Sequence, residues 1–276
     1  MKGWGWFTQR PDRGAWVAAI IGVLVLVVNT RAADVLNVRL PMQWTWAVTI
    51  LLLLLVIAVI GASVSGRPDG VVIDNRNRVS LSKFQATLWT ILVLSAVIVA
   101  AAAKAYATKG EAALALGIPA ELLIAMGISS ASLAATPLIL SMKKSNSSVE
   151  LLPERSASNL LAGPHQSSGD SVVFSRSNAS QASWADMFRG EEVSNVASPD
   201  LGKIQQFVVS VGLVALYGGM LWARFVDGRI LIAFPPLGNE FVWLLGISHA
   251  SYLAYKAAPH GSSTVASTNS LDEAVG

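Results

Sequence analysis

The side chains best suited to chemistry occur in pairs. Glu121 and Glu240 each open an apolar segment, and each segment carries a GIS-x-AS box. The first box is Gly127-Ile128-Ser129 with Ala131-Ser132, and the second is Gly246-Ile247-Ser248 with Ala250-Ser251. The copies are offset by 119 residues and differ at one telling position, where His249 replaces Ser130. An acid at a helix start is favoured by the helix dipole and solvated among headgroups. Two such acids at one mouth would also make an acidic vestibule that concentrates cations. His249 is the one histidine inside an apolar segment. There an imidazole can relay a proton near neutral pH. With no second histidine or carboxylate close in sequence, it can equally act as a neutral interhelical hydrogen-bond donor. Glu121, Ser129, Ser132, Glu240, Ser248, His249 and Ser251 form the candidate polar pathway.

Other chemistries lack their signatures. The chain has no cysteine, which removes disulfides, thiolate metal sites and cysteine nucleophiles. One histidine is not a metal site. No nucleotide loop, HExxH, GxSxG or Ser–His–Asp pattern stands in its required context, and GRPDG at 66–70 reads as a turn. Neither 108–119 nor 226–239 holds a TVGYG-like filter. The expectation is a non-enzyme with no cofactor and no metal.

The elements that must position these residues are membrane helices. Of 276 residues, 53% are hydrophobic and 13% charged, against roughly 25% charged in soluble domains. The net charge of +3 suits flanks facing anionic lipid, so no nucleic-acid partner is expected. Apolar runs fall at 15–28, 44–64, 84–105, 120–142, 203–225 and 240–255. The fold class expected is an all-α integral membrane protein with about six transmembrane helices. The first run is short: at about 1.5 Å per residue it falls below the roughly 30 Å hydrocarbon core. It either spans or lies at the surface, and a signal peptide ending near 30–32 is an alternative. Trp4, Trp6 and Phe7 beside Lys2 and Arg10 suit an interface.

Counting Lys and Arg gives 14 on the side holding both termini, the 66–80 loop and the 142–200 linker, and 6 on the other. The positive-inside rule then places both termini in the cytoplasm of a multi-pass inner or plasma membrane protein. Leu81-Ser82-Lys83-Phe84-Gln85 matches Leu201-Gly202-Lys203-Ile204-Gln205 at an offset of 120. With the paired boxes this indicates a parallel internal repeat of a two-helix hairpin, related by an axis along the membrane normal. The division expected is an N-terminal two-span hairpin at 1–65, a cytoplasmic loop at 66–80, hairpin repeats at 81–141 and 201–257, a linker at 142–200 and a disordered tail at 258–276. Gln85 and Gln205 would fasten helix ends.

Of the 59 linker residues 14 are serine, a composition that reads as flexible. Within it, 183–193 predicts a short amphipathic helix. Ser183 and Asp186 resemble a capping box, and Trp184, Met187 and Phe188 fall on one face. That face would rest on the membrane or on the protein's own loops, or would dock a cytoplasmic partner. Gly127, Ala131 and Ala135, like Gly246, Ala250 and Ala254, recur every four residues and predict smooth helix-packing grooves. The expected function is a membrane anchor or scaffold, set in the lipid bilayer, homo-oligomeric through these grooves and joined to a cytoplasmic protein. The alternative is a small homo-oligomeric ion channel or transporter with an acidic outer vestibule.

Overall fold

A computed structural model describes residues 11–29, 40–110, 112–145, 173–192 and 195–258. The aromatic N-terminal stretch, the linker part 146–172 and the tail from 259 lie outside the described residues. Among the described residues there are six α-helices: α1 (Pro11–Asn29), α2 (Met42–Ser65), α3 (Leu81–Ala107), α4 (Ala120–Ser145), α5 (Leu201–Val226) and α6 (Asn239–Ala257). Among the described residues there are isolated β-bridges but no strands.

Among the described residues four helices, α2 to α5, are long and apolar enough to cross a membrane, which marks an all-helical, membrane-embedded body. The outer two fall short of that measure for different reasons. The apolar part of α1, Gly14–Asn29, is short. In α6, length suffices, but Ser248, His249, Ser251 and Lys256 lower its hydropathy.

Local chemistry sets the helix ends. Ser80 accepts a hydrogen bond from the Lys83 amide and starts α3, and Asp200 accepts from the Lys203 amide at 3.1 Å and starts α5. Each cap supplies a partner to a first-turn amide that the helix itself leaves unbonded. Helix α2 closes on Gly66, whose φ of 75° is strained for any residue with a Cβ. The following turn folds back so tightly that a Cβ on Gly70 would lie 2.6 Å from the Gly61 carbonyl oxygen.

Helices α3, α4, α6 and α5 form a four-membered ring in that neighbour order, with α2 against α3 and α5, and α1 against α2. A two-fold axis along the normal would set repeat-equivalent helices across the ring. Instead α3 touches α5 and α4 touches α6, as in hairpins laid side by side facing the same way. The symmetry axis expected from the sequence therefore does not describe these neighbours. The equivalence of residues fails similarly: Gln85 is buried, but its counterpart Gln205 is exposed and Gln206 is buried instead.

One end of the ring is apolar. Trp89, Ala96 and Ala100 of α3 meet Leu122 and Ala125 of α4, Tyr217, Leu221 and Phe225 of α5, and Leu245 of α6. Two of its polar tips are satisfied: Trp46 Nε1 donates to Ser95 Oγ at 2.8 Å and Tyr217 Oη to the Pro235 carbonyl at 3.1 Å, while the buried Trp89 Nε1 has no partner among the described residues. The α3–α4 and α5–α6 connections are laced together over this end. The Gly117 amide donates to the Ile232 carbonyl and the Phe234 amide to the Gly117 carbonyl.

The other end carries a folded cap. It combines the 66–80 loop with 173–192 and 195–200, described parts of the stretch expected to be a flexible linker. The Phe174 amide donates to the Glu191 carbonyl and the Arg176 amide to the Arg76 carbonyl, each at 2.9 Å. Val72, Ile73, Val79, Leu81, Ala182 and Met187 form its own small apolar core. The α-helix expected over 183–193 is a shorter 3-10 turn, Trp184–Phe188, ending before Gly190. Its capping box is present as read: Ser183 caps the turn, and the Asp186 carboxylate accepts from the Ser183 amide.

Candidate functional site

Below the apolar end, each ring helix turns a polar stripe inward at helical spacing. These are Ser82 and Gln85 on α3, Ser129, Ser132 and Thr136 on α4, Lys203, Gln206 and Ser210 on α5, and Ser248, His249, Tyr252 and Lys256 on α6. They form a belt of hydrogen bonds around the ring. Gln85 Nε2 donates to Ser210 Oγ at 2.8 Å and to the Gln206 carbonyl at 3.2 Å. Gln206 Nε2 donates to Gln85 Oε1 and to His249 Nδ1, both at 3.1 Å. Ser132 Oγ lies 2.7 Å from the same ring nitrogen. Ser82 and Thr136 join α3 to α4 at 3.2 Å.

This geometry fixes the histidine tautomer. Turning the Gln206 amide over would set two carbonyl oxygens face to face at Gln85, so the nitrogen must point at His249. Nδ1 is then an acceptor and the ring proton sits on Nε2. That Nε2, together with Ser129 Oγ, Ser248 Oγ and Gln206 Oε1, has no hydrogen-bond partner among the described residues although all are buried. Leaving a buried polar group unpaired costs about 1–3 kcal/mol.

Nearer the cap lies an ionic layer centred on Glu191. Its Oε1 receives Lys203 Nζ at 2.7 Å and Lys256 Nζ at 2.9 Å, both from ring helices. Its Oε2 receives Arg76, with Arg78 Nη1 3.6 Å away, both from the cap loop. Burial alone would raise the Glu191 carboxyl, but Lys256, Arg76, Lys203 and Arg78 together hold it well below the usual carboxylate range. For Arg76, Glu191 and Asp74 outweigh burial and raise the guanidinium. Arg78 lies below its usual value because burial outweighs its carboxylate neighbours. It donates to the Gly190 and Asp186 carbonyls, while Asp186 is paired with Arg176 at 2.8 Å. Lys256 Nζ also donates to Tyr252 Oη at 2.8 Å, joining the ionic layer to the belt along one face of α6.

The sequence-selected residues divide between this site and the surface. Ser129, Ser132, Ser248 and His249 are buried, and Ser132 meets His249 across the α4–α6 contact. Ser251 is exposed, as is Glu240, and Glu121 is half-buried. Both acids are separated from the belt by Leu122, Ala125 and Leu245. Gly127, Ala131, Ala250 and Ala254 are exposed and Ala135 is half-buried. Of the two glycines, Gly246 approaches another helix, where a Cβ would lie 3.7 Å from Ile128 Cδ1, and Gly127 has open space around it. Within the chain, then, the small-residue stripes are not the packing faces; the serine stripes beside them are. In the cap, Met187 is buried, Phe188 packs edge-on to Phe207 at 5.0 Å, and Trp184 remains 47% exposed.

Sequence reasoning missed Gln206, Ser210 and Glu191, and treated Arg76, Arg78, Lys203 and Lys256 only as topology markers. A signal was available for α5: Lys203, Gln206 and Ser210 repeat at i, i+3 and i+7 inside an apolar run. Comparison with known proteins returns no matching family model, no matching curated protein and no matching solved structure.

Proposed function

We propose that the chain is a non-enzymatic membrane anchor that holds its cap as a fixed platform on one side of the bilayer. The observation that carries this reading is the Glu191 layer, in which two cap arginines and two ring lysines share one buried carboxylate. Breaking such a layer leaves buried charge uncompensated, so cap and helices are strongly coupled. Trp184, half-exposed at the cap surface, is the residue the platform offers to a cytoplasmic protein. The outward stripes Gly127–Ala131 and Ala250–Ala254 are the faces on which copies of the chain would meet. In this reading α1 and α6 also cross the bilayer, hairpins 81–141 and 201–257 derive from one duplicated unit, and both termini face the inner-membrane cytoplasm.

The absence of cysteine makes the test clean. Single Ala131→Cys and Ala250→Cys variants are oxidised in native membranes. The reading expects a disulfide-linked dimer from at least one of them and none from a cysteine at the exposed Ala107, the last residue of α3. Proximity labelling from the cap should mark a protein partner that is lost with Trp184→Ala. Monomers at both positions, with labelling indifferent to Trp184, would overturn the anchor reading.

A second reading rests on the unpaired belt atoms. Ser129, Ser248 and His249 Nε2 offer a buried donor and acceptors to water or a small polar solute, as in a transport site. Here Glu121 and Glu240 would form the outer vestibule of an oligomer. Ion flux into liposomes, compared with the Glu121→Gln/Glu240→Gln variant, decides it. Flux that falls in the variant supports transport, and no flux, or flux unaffected by the change, removes it.

A further inference from the structure

A cleft of about 610 Å³ lies where α2 and α3 pass under the cap. Its walls are apolar: Leu54 and Ile57 from α2 face Leu88 and Ile91 from α3. Its upper rim is Arg67, Asp69 and Trp184. Leu54 is 45% exposed on the flank of a membrane helix and Trp184 is 47% exposed at the cap, so the cleft opens on both. Phe84 is held between Trp184 and Phe207, each 5.9 Å away.

We propose that this cleft holds one acyl chain of a bilayer phospholipid. Its volume is in the range of sites for small apolar ligands, about 300–1,000 Å³. Its flank opens along a membrane-spanning helix, where acyl chains are the surrounding solvent. A tryptophan at the rim matches the headgroup level, where amphipathic rings settle. The rim does not select the headgroup. Arg67 Nε and Nη2 are spent on Asp69 at 2.8 and 2.7 Å, and Nη1 on the carbonyls of Ala179, Ser180 and Ala182. Among the described residues lining the cleft Arg67 is the one cation, and it is already paired, so recognition is of the chain and not of its charge.

The test uses the full chain purified in mild detergent and examined by native mass spectrometry after reloading from phosphatidylcholine vesicles. The wild type is expected to retain a phospholipid that Ala58→Trp and Thr87→Trp, which fill the cleft from opposite walls, both lose. Val208→Trp, on an exposed face of α5, keeps it. Vesicles containing phosphatidylglycerol should load the site to the same extent. Equal retention by the wild type and whichever filled variants fold overturns the proposal, as does a strong headgroup preference. So does an Ala58→Cys variant that cross-links in membranes to segment 146–172, or to a second copy, instead of to a photoreactive acyl chain. None of these outcomes depends on the anchor reading.

Discussion

The two ends of the helix ring are built on opposite principles from the same four helices. At the end away from the cap, large apolar side chains interlock and polar tips are few: Trp46 and Tyr217 are hydrogen-bonded, while Trp89 Nε1 has no partner among the described residues. At the cap end the inward positions are amides, hydroxyls, an imidazole and lysines, and several atoms stay unpaired. In lipid, apolar burial gives helices little reason to prefer one another over the solvent, so the apolar end is held by close packing. The polar end is held by groups that lipid cannot satisfy, which fixes partners and register more sharply. The packed end is filled by interlocked side chains, and the polar end is where the membrane body meets the cap.

The comparison can be broken most forcefully at Glu191. Glu191→Ala leaves four buried cations around an empty place, and the expected loss is about 3–5 kcal/mol, measured by thermal unfolding of the purified protein. At the apolar end Leu221→Ala, fully buried, should cost about 2–5 kcal/mol through its cavity. The two losses should differ in kind as well as size. The Glu191 carboxyl lies below its unfolded value, so its contribution is complete above the ordinary carboxylate range and is lost as pH falls through the folded value. Cap docking should therefore hold through neutral and mildly acidic pH and fail only in strong acid. The Leu221→Ala deficit should be the same at every pH across that range.

Within the belt, Gln206→Ala and His249→Ala should each cost about 0.6–2 kcal/mol, the scale of interhelical hydrogen bonds in membranes. A double-mutant cycle should find them coupled, because Gln206 donates directly to His249. The smallest effect is expected one residue away. Gln205→Ala, at an exposed position, should change stability by no more than about 0.5 kcal/mol. If Gln205 proved the costlier of the two, the rotation of α5 described here would be wrong.

That one-residue distinction shows what the sequence could and could not carry. Apolar runs marked α2 to α5 because twenty-odd such residues have no other economical place. The Ser183–Asp186 box was legible because a cap is a local device. The pairing of serines with His249 was half legible: the serines were singled out, but their partners on α3 and α5 were not. One residue turns a helix by about 100°, so the repeat alignment that paired Gln85 with Gln205 named the wrong face. For the same reason, the small-residue stripes read as packing faces lie outward while Ser129 and Ser132 lie inward. The cap was illegible for another reason. Its bonds join Arg76 and Arg78 to Glu191 across more than a hundred residues, and a serine-rich composition gives no sign of such a partner.

The central claim is that cap and ring form one body through Glu191, and amide hydrogen exchange in the intact protein tests it most directly. The amides of Phe174, Arg176 and Asp200 are hydrogen-bonded inside the cap. They should exchange slowly in the wild type and lose that protection in Glu191→Ala, while the Leu221→Ala protein keeps it. Fast exchange at these three amides in the wild type, matching an unstructured linker, would contradict the account.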